Sequence, residues 1–215
     1  MAAETGSRPE SAERAAPEQQ AAAAESAASK PVPAMFRGKL LFWLPWPLLV
    51  VLDLWSKAAV FDWMVERYGS LRGEYLVFET APISLRFVTW ENTGTIWGLF
   101  QDGTVALMVL RCAAVAGLLW FVRATAAAAR FQMVVLSLIF AGAIGNLYDN
   151  FVRTDAESPR SVRDFMRFTG ELPMEWGYPA FNVADSCITV GAIGLLLLLL
   201  REDRAAAKAA REVSS

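Results

Sequence analysis

The stretch AGAIGNLYDN, residues 141–150, decides the fold class of this chain. It lies in an apolar run, Phe131–Phe151, that is long enough to cross a bilayer, which takes about 20 residues. Helical periodicity places Gly142, Asn146 and Asp149 on one face of that run. Glycine lets a neighbouring helix approach closely, and Asn and Asp link membrane helices by hydrogen bonds. The stretch predicts packed membrane helices, in which Asp149 either holds helices together or serves a polar site.

Four apolar segments of this chain are long enough to span a membrane, and 55% of its 215 residues are hydrophobic. The last segment ends in six consecutive leucines, which is typical of a lipid-facing helix. The four predicted spans lie at about 40–61, 104–123, 131–151 and 181–200.

The basic residues predict which side of the membrane each end occupies, because Lys and Arg are enriched in cytoplasmic segments beside a span. Arg37 and Lys39 precede the first segment, and Arg123 and Arg130 flank the short second connection. Both termini are therefore expected in the cytoplasm. The first 34 residues are mostly Ala, Glu, Ser and Pro, which cannot bury enough apolar surface to fold. The chain divides into a disordered cytoplasmic tail at 1–34, a membrane domain at 35–200 and a cytoplasmic tail at 201–215.

Two longer connections fall on the outer side of the membrane. The first, at 62–103, contains alternating stretches at Tyr75–Phe78 and Ile83–Thr89 that predict short strands. The second, at 152–180, is polar and interrupted by Pro and Gly, so we expect an irregular loop there.

The absence of histidine narrows the possible chemistry. A chain with no His has no Ser-His-Asp triad, no Cys-His pair and no HExxH zinc site. If the protein is a hydrolase, its acid and base groups must come from Asp, Glu, Lys or Tyr. The net charge of −2 argues against a nucleic-acid partner, which would require a basic surface.

Several charged residues lie within the apolar segments, where each costs roughly 2.5–3.5 kcal/mol on insertion scales. Asp53 and Lys57 are spaced for an ion pair on one helix face, which either stabilises the helix or positions a site. Asn182 and Asp185 open the fourth segment, where Asn182 could be an N-cap and Asp185 could favour the helix dipole. Arg111 in the second segment is expected to pair with an interior acid.

Five motifs, in order, resemble those of the lipoprotein signal peptidase family, also called signal peptidase II. Any one of them is a weak signal, but the five in order over about residues 40–200 are specific. The resemblance implies four transmembrane helices, a small β-rich extracytoplasmic platform and a site near the outer leaflet. The motifs are Asp53-x-x-x-Lys57, Asn92-x-Gly94-x-x-x-Gly98, Gly142-x-x-Gly145-Asn146-x-x-Asp149, Val162-x-Asp164-Phe165 and Phe181-Asn182-x-Ala184-Asp185.

The resemblance also implies a role for each matching residue. Asp164 and Asp185 correspond to the catalytic pair of the family. The residues expected to bind substrate or orient that pair are Asn92, Asn146, Asn182, Asp149 and Arg153. The residues expected to position the site are Asp53, Lys57, Gly94 and Gly145.

Two departures from the family pattern concern arginines. Asn150 stands where the family usually has Arg, and Arg153, one helical turn after Asp149, is expected to replace it. Arg163 stands before Asp164 where the family usually has an apolar residue, and we expect its side chain to point toward lipid headgroups.

The activity that the resemblance implies is that of a membrane aspartic endopeptidase in the bacterial inner membrane. It would remove the signal peptide of diacylglyceryl-modified prolipoproteins, cleaving before the lipidated Cys with water activated between two Asp. No cofactor or metal is implied, and the expected partners are these substrates and membrane lipids, with the enzyme a monomer. The alternative is a small proton-coupled transporter that uses the intramembrane acids. Transporters usually have internal repeats, and none is seen here.

Overall fold

The structure, a computed structural model, describes residues 38–70, 73–94, 103–154, 159–170 and 176–213. The tail predicted at 1–34 lies outside these residues. The helices are α1 Leu40–Trp43, α2 Pro45–Tyr68, α3 Gly103–Ala124, α4 Arg130–Val152 and α5 Val183–Val213. The strands are β1 Glu74–Thr80, β2 Ile83–Asn92, β3 Val162–Gly170 and β4 Trp176–Gly177.

Helix α4 is the most deeply buried helix of the bundle, and it packs against α2, α3 and α5. Two of its glycines make this close packing possible. A Cβ atom at Gly142 would collide with the backbone carbonyl oxygen of Ala184 on α5. A Cβ atom at Gly145 would lie 2.5 Å from the Asp53 carboxylate on α2. The predicted close approach of helices at this stretch is therefore present.

Three of the described helices, α3, α4 and α5, are long and apolar enough to cross a membrane. Helix α2 occupies the first predicted span but carries Asp53, Lys57 and Asp62 among its apolar residues, so its composition does not mark it as a span in the same way. The prediction of four spans is thus supported for three helices. Helix α5 continues to Val213, through most of the predicted C-terminal tail.

The end of the bundle where α1 lies is closed by an apolar cluster and a buried lysine. The cluster contains Phe42, Met133 and Phe140. The ammonium group of Lys39 donates hydrogen bonds to the backbone carbonyls of Val122 and Arg123, at 2.6 and 3.0 Å. These carbonyls belong to the last turn of α3, where a cation satisfies acceptors that the helix leaves open.

The extramembrane part is an antiparallel sheet with strand order β1-β2-β3-β4. Strands β1 and β2 confirm the two strands predicted from alternation. The prediction of an irregular loop at 152–180 was wrong over 162–170, where β3 pairs with β2. Charged residues occur on both faces of β3, at Arg163 and Asp164, which breaks the apolar alternation that identifies a half-buried strand.

Candidate active site

Asp164 lies on β3, and the register places it opposite Trp90 of β2. The side-chain amide of Asn92, at the end of β2, donates to one oxygen of this carboxyl group at 3.0 Å. The Asn182 amide donates to the other oxygen at 2.6 Å. Asp164 is only 1% exposed, so the sheet buries this acid and supplies one of its two hydrogen-bond donors.

Asp185 lies in the first turn of α5, where it forms a reciprocal cap with Asn182. The side-chain oxygen of Asn182 accepts from the backbone N–H of Asp185 at 2.9 Å, and the Asp185 carboxylate accepts from the backbone N–H of Asn182 at 3.1 Å. The Asn146 amide on α4 donates to the other Asp185 oxygen at 2.8 Å. The N-cap interpretation of Asn182 is correct, but the same side chain also binds Asp164.

Asn182 therefore joins the two acids, since one end of its side chain contacts Asp164 and the other contacts the backbone of Asp185. Asn146, on α4, orients both Asn182 and Asp185. Its carbonyl oxygen accepts from the Asn182 amide at 3.2 Å and from the Lys57 ammonium at 3.1 Å, which leaves its own amide to donate to Asp185. A strand and a helix that are far apart in sequence thus bring two carboxyl groups to one place.

Burial raises the pKa of the Asp164 carboxyl, and the negative charge of Asp185 raises it further, to about 7. Hydrogen bonds from Asn92 and Asn182 and the charge of Lys57 lower this pKa but do not cancel the two larger effects. Asp164 consequently retains its proton below about pH 7, well above the range in which an ordinary aspartic acid ionises. This arrangement is suited to acid-base chemistry.

Four further charged side chains form a buried network behind the two acids. The predicted Asp53–Lys57 pair is present at 2.7 Å, and Lys57 also lies 3.5 Å from Asp149. Asp149 in turn binds the Arg163 guanidinium at 2.7 Å and accepts from the Arg163 backbone N–H at 3.0 Å. Asp53 also accepts from the backbone N–H of Ala184 at 2.8 Å, at the start of α5. This network ties α2, α4, β3 and α5 together.

The expectation that Arg163 points toward lipid headgroups was wrong, because Asp149 holds its side chain inside the protein. Arg153 was expected to serve the site, but its described polar contacts are the Glu91 carboxylate and the Ser161 hydroxyl. Among the described residues, therefore, nothing connects Arg153 directly with the two acids. Ser161 and Glu91 hold it beside the sheet.

Two further residues that were singled out in the sequence are Arg111 and Gly94. The Arg111 guanidinium does not hydrogen-bond to an acid among the described residues; it donates to the side-chain oxygen of Asn150. Gly94 has a left-handed φ of 79°, and its N–H donates to the Asn92 side chain at 2.8 Å, which forms a tight turn after β2. Gly98 lies outside the described residues.

An apolar groove of about 520 Å³ extends from Asp185 between the sheet and α5. Phe168, Tyr178 and Phe181 form its aromatic side, and Val190 lies on the α5 side. Phe181 belongs to the fifth motif, but Phe168 and Tyr178 were not identified from the sequence. Their clustering at 168–181 was the available signal, but only the fold shows that they face Asp185.

The family of signal peptidase (SPase) II matches residues 46–201 of this chain. A lipoprotein signal peptidase of Anoxybacillus flavithermus is 25% identical over 170 residues, which are 79% of this chain and 91% of the relative. One of Symbiobacterium thermophilum is 34% identical over 143 residues, 66% of this chain and 84% of the relative. A solved structure of a bacterial membrane enzyme superposes with a TM-score of 0.58 at 25% identity, covering 78% of this chain and 91% of that one.

Proposed function

Since this chain belongs to the signal peptidase (SPase) II family and removes signal peptides from prolipoproteins, we propose that it performs this hydrolysis with water activated between Asp164 and Asp185. The observation that carries the proposal is the position of Asn182, which binds both acids. Two carboxyl groups so placed do not both ionise readily, so one keeps a proton while the other acts as a base.

The reaction follows from these protonation states. Asp185 accepts two N–H donors at a helix N-terminus, a position that stabilises negative charge, and acts as the base. It takes a proton from water, and the water oxygen bonds to the scissile carbonyl carbon while protonated Asp164 donates to the carbonyl oxygen. The proton on Asp185 then passes to the peptide nitrogen, a hydroxyl group of the tetrahedral intermediate returns a proton to Asp164, the C–N bond breaks, and a carboxylic acid and an amine are released.

Helix α2 serves as the fourth span in this proposal. Its outer face exposes Leu48, Val51 and Trp55, the last at 66%, whereas Asp53 and Lys57 are buried against the bundle. An apolar outer face with an internal ion pair suits a helix surrounded by lipid. The short Arg123–Arg130 connection then lies in the cytoplasm with both termini, and the sheet and the two acids lie near the outer leaflet.

The apolar groove beside Asp185 suits a substrate that carries lipid. We assign the diacylglyceryl-modified Cys to the entrance of this groove and the scissile bond, immediately before that Cys, to the space between the two acids. Phe168 and Val190 provide apolar contact area on opposite sides. We propose that the enzyme acts as a monomer, whose own β2, α4 and α5 supply the described hydrogen-bond donors to both acids.

The test is cleavage of a purified diacylated prolipoprotein, followed by the gel shift between precursor and product. Asp164→Asn and Asp185→Asn should each abolish cleavage while the protein still inserts into membranes. Asp62→Asn is the matched control, because Asp62 is an exposed acid of α2. Its cleavage rate should equal that of the unmodified enzyme.

Retained cleavage in Asp164→Asn or Asp185→Asn would refute the assignment of these two acids.

A transporter would require its acids to follow a path across the membrane. The three buried acids described here, Asp53, Asp149 and Asp164, instead meet in one cluster with the half-buried Asp185.

A further inference from the structure

The charges of the network behind the two acids add up to zero when Asp164 and Asp185 are not counted. Asp53 and Asp149 contribute two negative charges, and Lys57 and Arg163 contribute two positive charges, each within 3.5 Å of a partner of opposite sign. Arg153 is likewise neutralised by Glu91, near the end of β2. The singly ionised pair of Asp164 and Asp185 is therefore left with one negative charge that these ion pairs do not neutralise.

Arg111 lies on the inner face of α3, the helix that packs against α4. The inner face of α3 is marked by Met108, which is buried, and by Val115, which packs against the core cluster. Arg111 is three residues after Met108 and four before Val115, so it shares their face. Its guanidinium donates to Asn150, which lies one helical turn after Asn146, the residue whose amide donates to Asp185.

The position of Arg111 is fixed by Asn150 of α4. Asn150 is 2% exposed, its side-chain oxygen accepts from the Arg111 guanidinium, and its amide donates to the backbone carbonyl of Arg160. Because Arg160 follows the end of α4 and leads into β3, the Asn150 side chain is held at both ends. Arg111 is thereby held toward the pair by a neutral residue, and its charge is not cancelled.

We propose that Arg111 is the counter-charge of the Asp164–Asp185 pair, a positioning residue that stabilises the singly ionised pair from the neighbouring helix. This inference rests on the proposed function, since it assumes that the two acids act together. Arg111 touches neither acid through a described hydrogen bond, and it acts on them through its field. Asn150 is the residue that keeps the guanidinium in place.

The charged groups around the Asp164–Asp185 pair determine whether its pKa values rise or fall when the charge of Arg111 is lost. They are Lys57 of α2 with its partners Asp53 and Asp149, Arg163 of β3, and Arg111 of α3. Loss of the Arg111 charge makes each ionisation of the pair less favourable. The acidic and alkaline limbs of the pH profile of kcat/KM should therefore both move to higher pH, on the order of one unit.

The experiment measures kcat/KM from about pH 4 to about pH 9. The substrate is a fluorescent diacylated lipopeptide, and the enzyme is full-length. Arg111→Gln should shift both limbs upward, and Arg111→Lys, which keeps the charge, should restore their positions. Arg204→Gln removes an exposed arginine in the C-terminal part of α5, far along the helix from Asp185, so its profile should match that of the unmodified enzyme.

Asn150→Asp provides a second route that keeps Arg111 in the chain. A carboxylate at this position would neutralise the guanidinium and should also shift the limbs upward, so the proposal stays testable if Arg111→Gln does not fold. Unshifted limbs in both Arg111→Gln and Asn150→Asp would overturn the role of Arg111, as would an equal shift in Arg204→Gln. These results leave the acid pair untouched, because that assignment fails only if Asp164→Asn or Asp185→Asn retains cleavage.

Discussion

The Asn182 amide donates a 2.6 Å hydrogen bond to the Asp164 carboxyl, across the junction between the sheet and the last helix. The same side chain caps α5 through its carbonyl oxygen. One residue therefore fixes the start of the helix and orients an acid on a strand. The two roles can be separated, because a hydroxyl group can cap a helix but does not reproduce the reach and the two donors of an amide.

Asn182→Ser should retain the helix cap but lose the contact with Asp164. We expect kcat to fall roughly 10- to 100-fold, since a hydrogen bond to a charged or polarised group is worth about 1.5–3 kcal/mol. The melting temperature in detergent should stay close to that of the unmodified enzyme. Asn182→Ala should lower kcat similarly and also lower the melting temperature. Unchanged kcat in both variants would contradict an orienting role for Asn182.

The pH dependence of cleavage should report the Asp164 carboxyl. Its pKa of about 7 lies above the usual range of an aspartic acid, so its proton is present below about pH 7 and is lost as the pH rises through that value. Cleavage should fall on this alkaline limb because the acid that donates to the substrate carbonyl is then ionised. The measurement is kcat/KM against pH with a diacylated lipopeptide.

Asn92→Ala should move that alkaline limb further upward. Asn92 donates to the Asp164 carboxyl and so lowers its pKa, and removing the donor leaves burial and the Asp185 charge less opposed. Ser84→Ala is a suitable control, because the Ser84 hydroxyl binds Thr169 at the far end of the same strands. A limb that moves downward in Asn92→Ala, or one that moves equally in the control, would contradict this assignment.

The sequence predicted the membrane helices because their signal is local, as the length and composition of each segment suffice. It also predicted the Asp53–Lys57 pair, since the four-residue spacing places both side chains on one face of one helix. Strand β3 was missed because its evidence is non-local. Its partner β2 precedes it by a whole helical hairpin, and Arg163 next to Asp164 removes the expected alternation.

The partners of the arginines could not be predicted for the same reason. Arg163 was recognised as unusual, but its contact with Asp149 depends on how β3 lies over the end of α4. Arg111 was recognised as costly within a span, but its contact with Asn150 depends on helix packing. A spacing rule identifies neighbours within one helix only. The resemblance supplied the two acids, and the fold supplied the reason that Asn182 and Asn146 stand beside them.

The Asp149–Arg163 pair should be a major source of stability for the junction of bundle and sheet. Asp149 is fully buried, so Arg163→Met leaves a buried carboxylate without its main partner on β3 and should cost about 3–5 kcal/mol. Asp149→Asn should cost a similar amount by leaving the guanidinium unpaired. The double variant should be less destabilised than the sum of the two, by about 1–3 kcal/mol.

Thermal unfolding in detergent, with all four members of this double-mutant cycle, measures that coupling. Arg167→Met is the control, because Arg167 forms a half-exposed pair with Glu74 on the same strand, and exposed pairs contribute at most about 1 kcal/mol. Additive losses in the cycle would show that the two side chains do not stabilise each other.

The two glycines at 145 and 117 should respond oppositely to the same substitution. Gly145 of α4 faces the Asp53 carboxylate, and a Cβ atom there would lie 2.5 Å from it, so Gly145→Ala should displace Asp53 from Lys57 and from the start of α5. A Cβ atom at Gly117 of α3 would meet none of the described residues within 4 Å, so Gly117→Ala should stabilise its helix by up to about 1 kcal/mol.

The two variants are compared by melting temperature and by cleavage rate. Gly145→Ala should lower both, because Asp53 holds the backbone N–H of Ala184 one residue before Asp185, and a shift of α5 would move Asp185 away from Asp164. Gly117→Ala should leave cleavage unchanged. If Gly145→Ala cleaved at the rate of the unmodified enzyme, the contact of Asp53 with the first turn of α5 would have no part in placing Asp185.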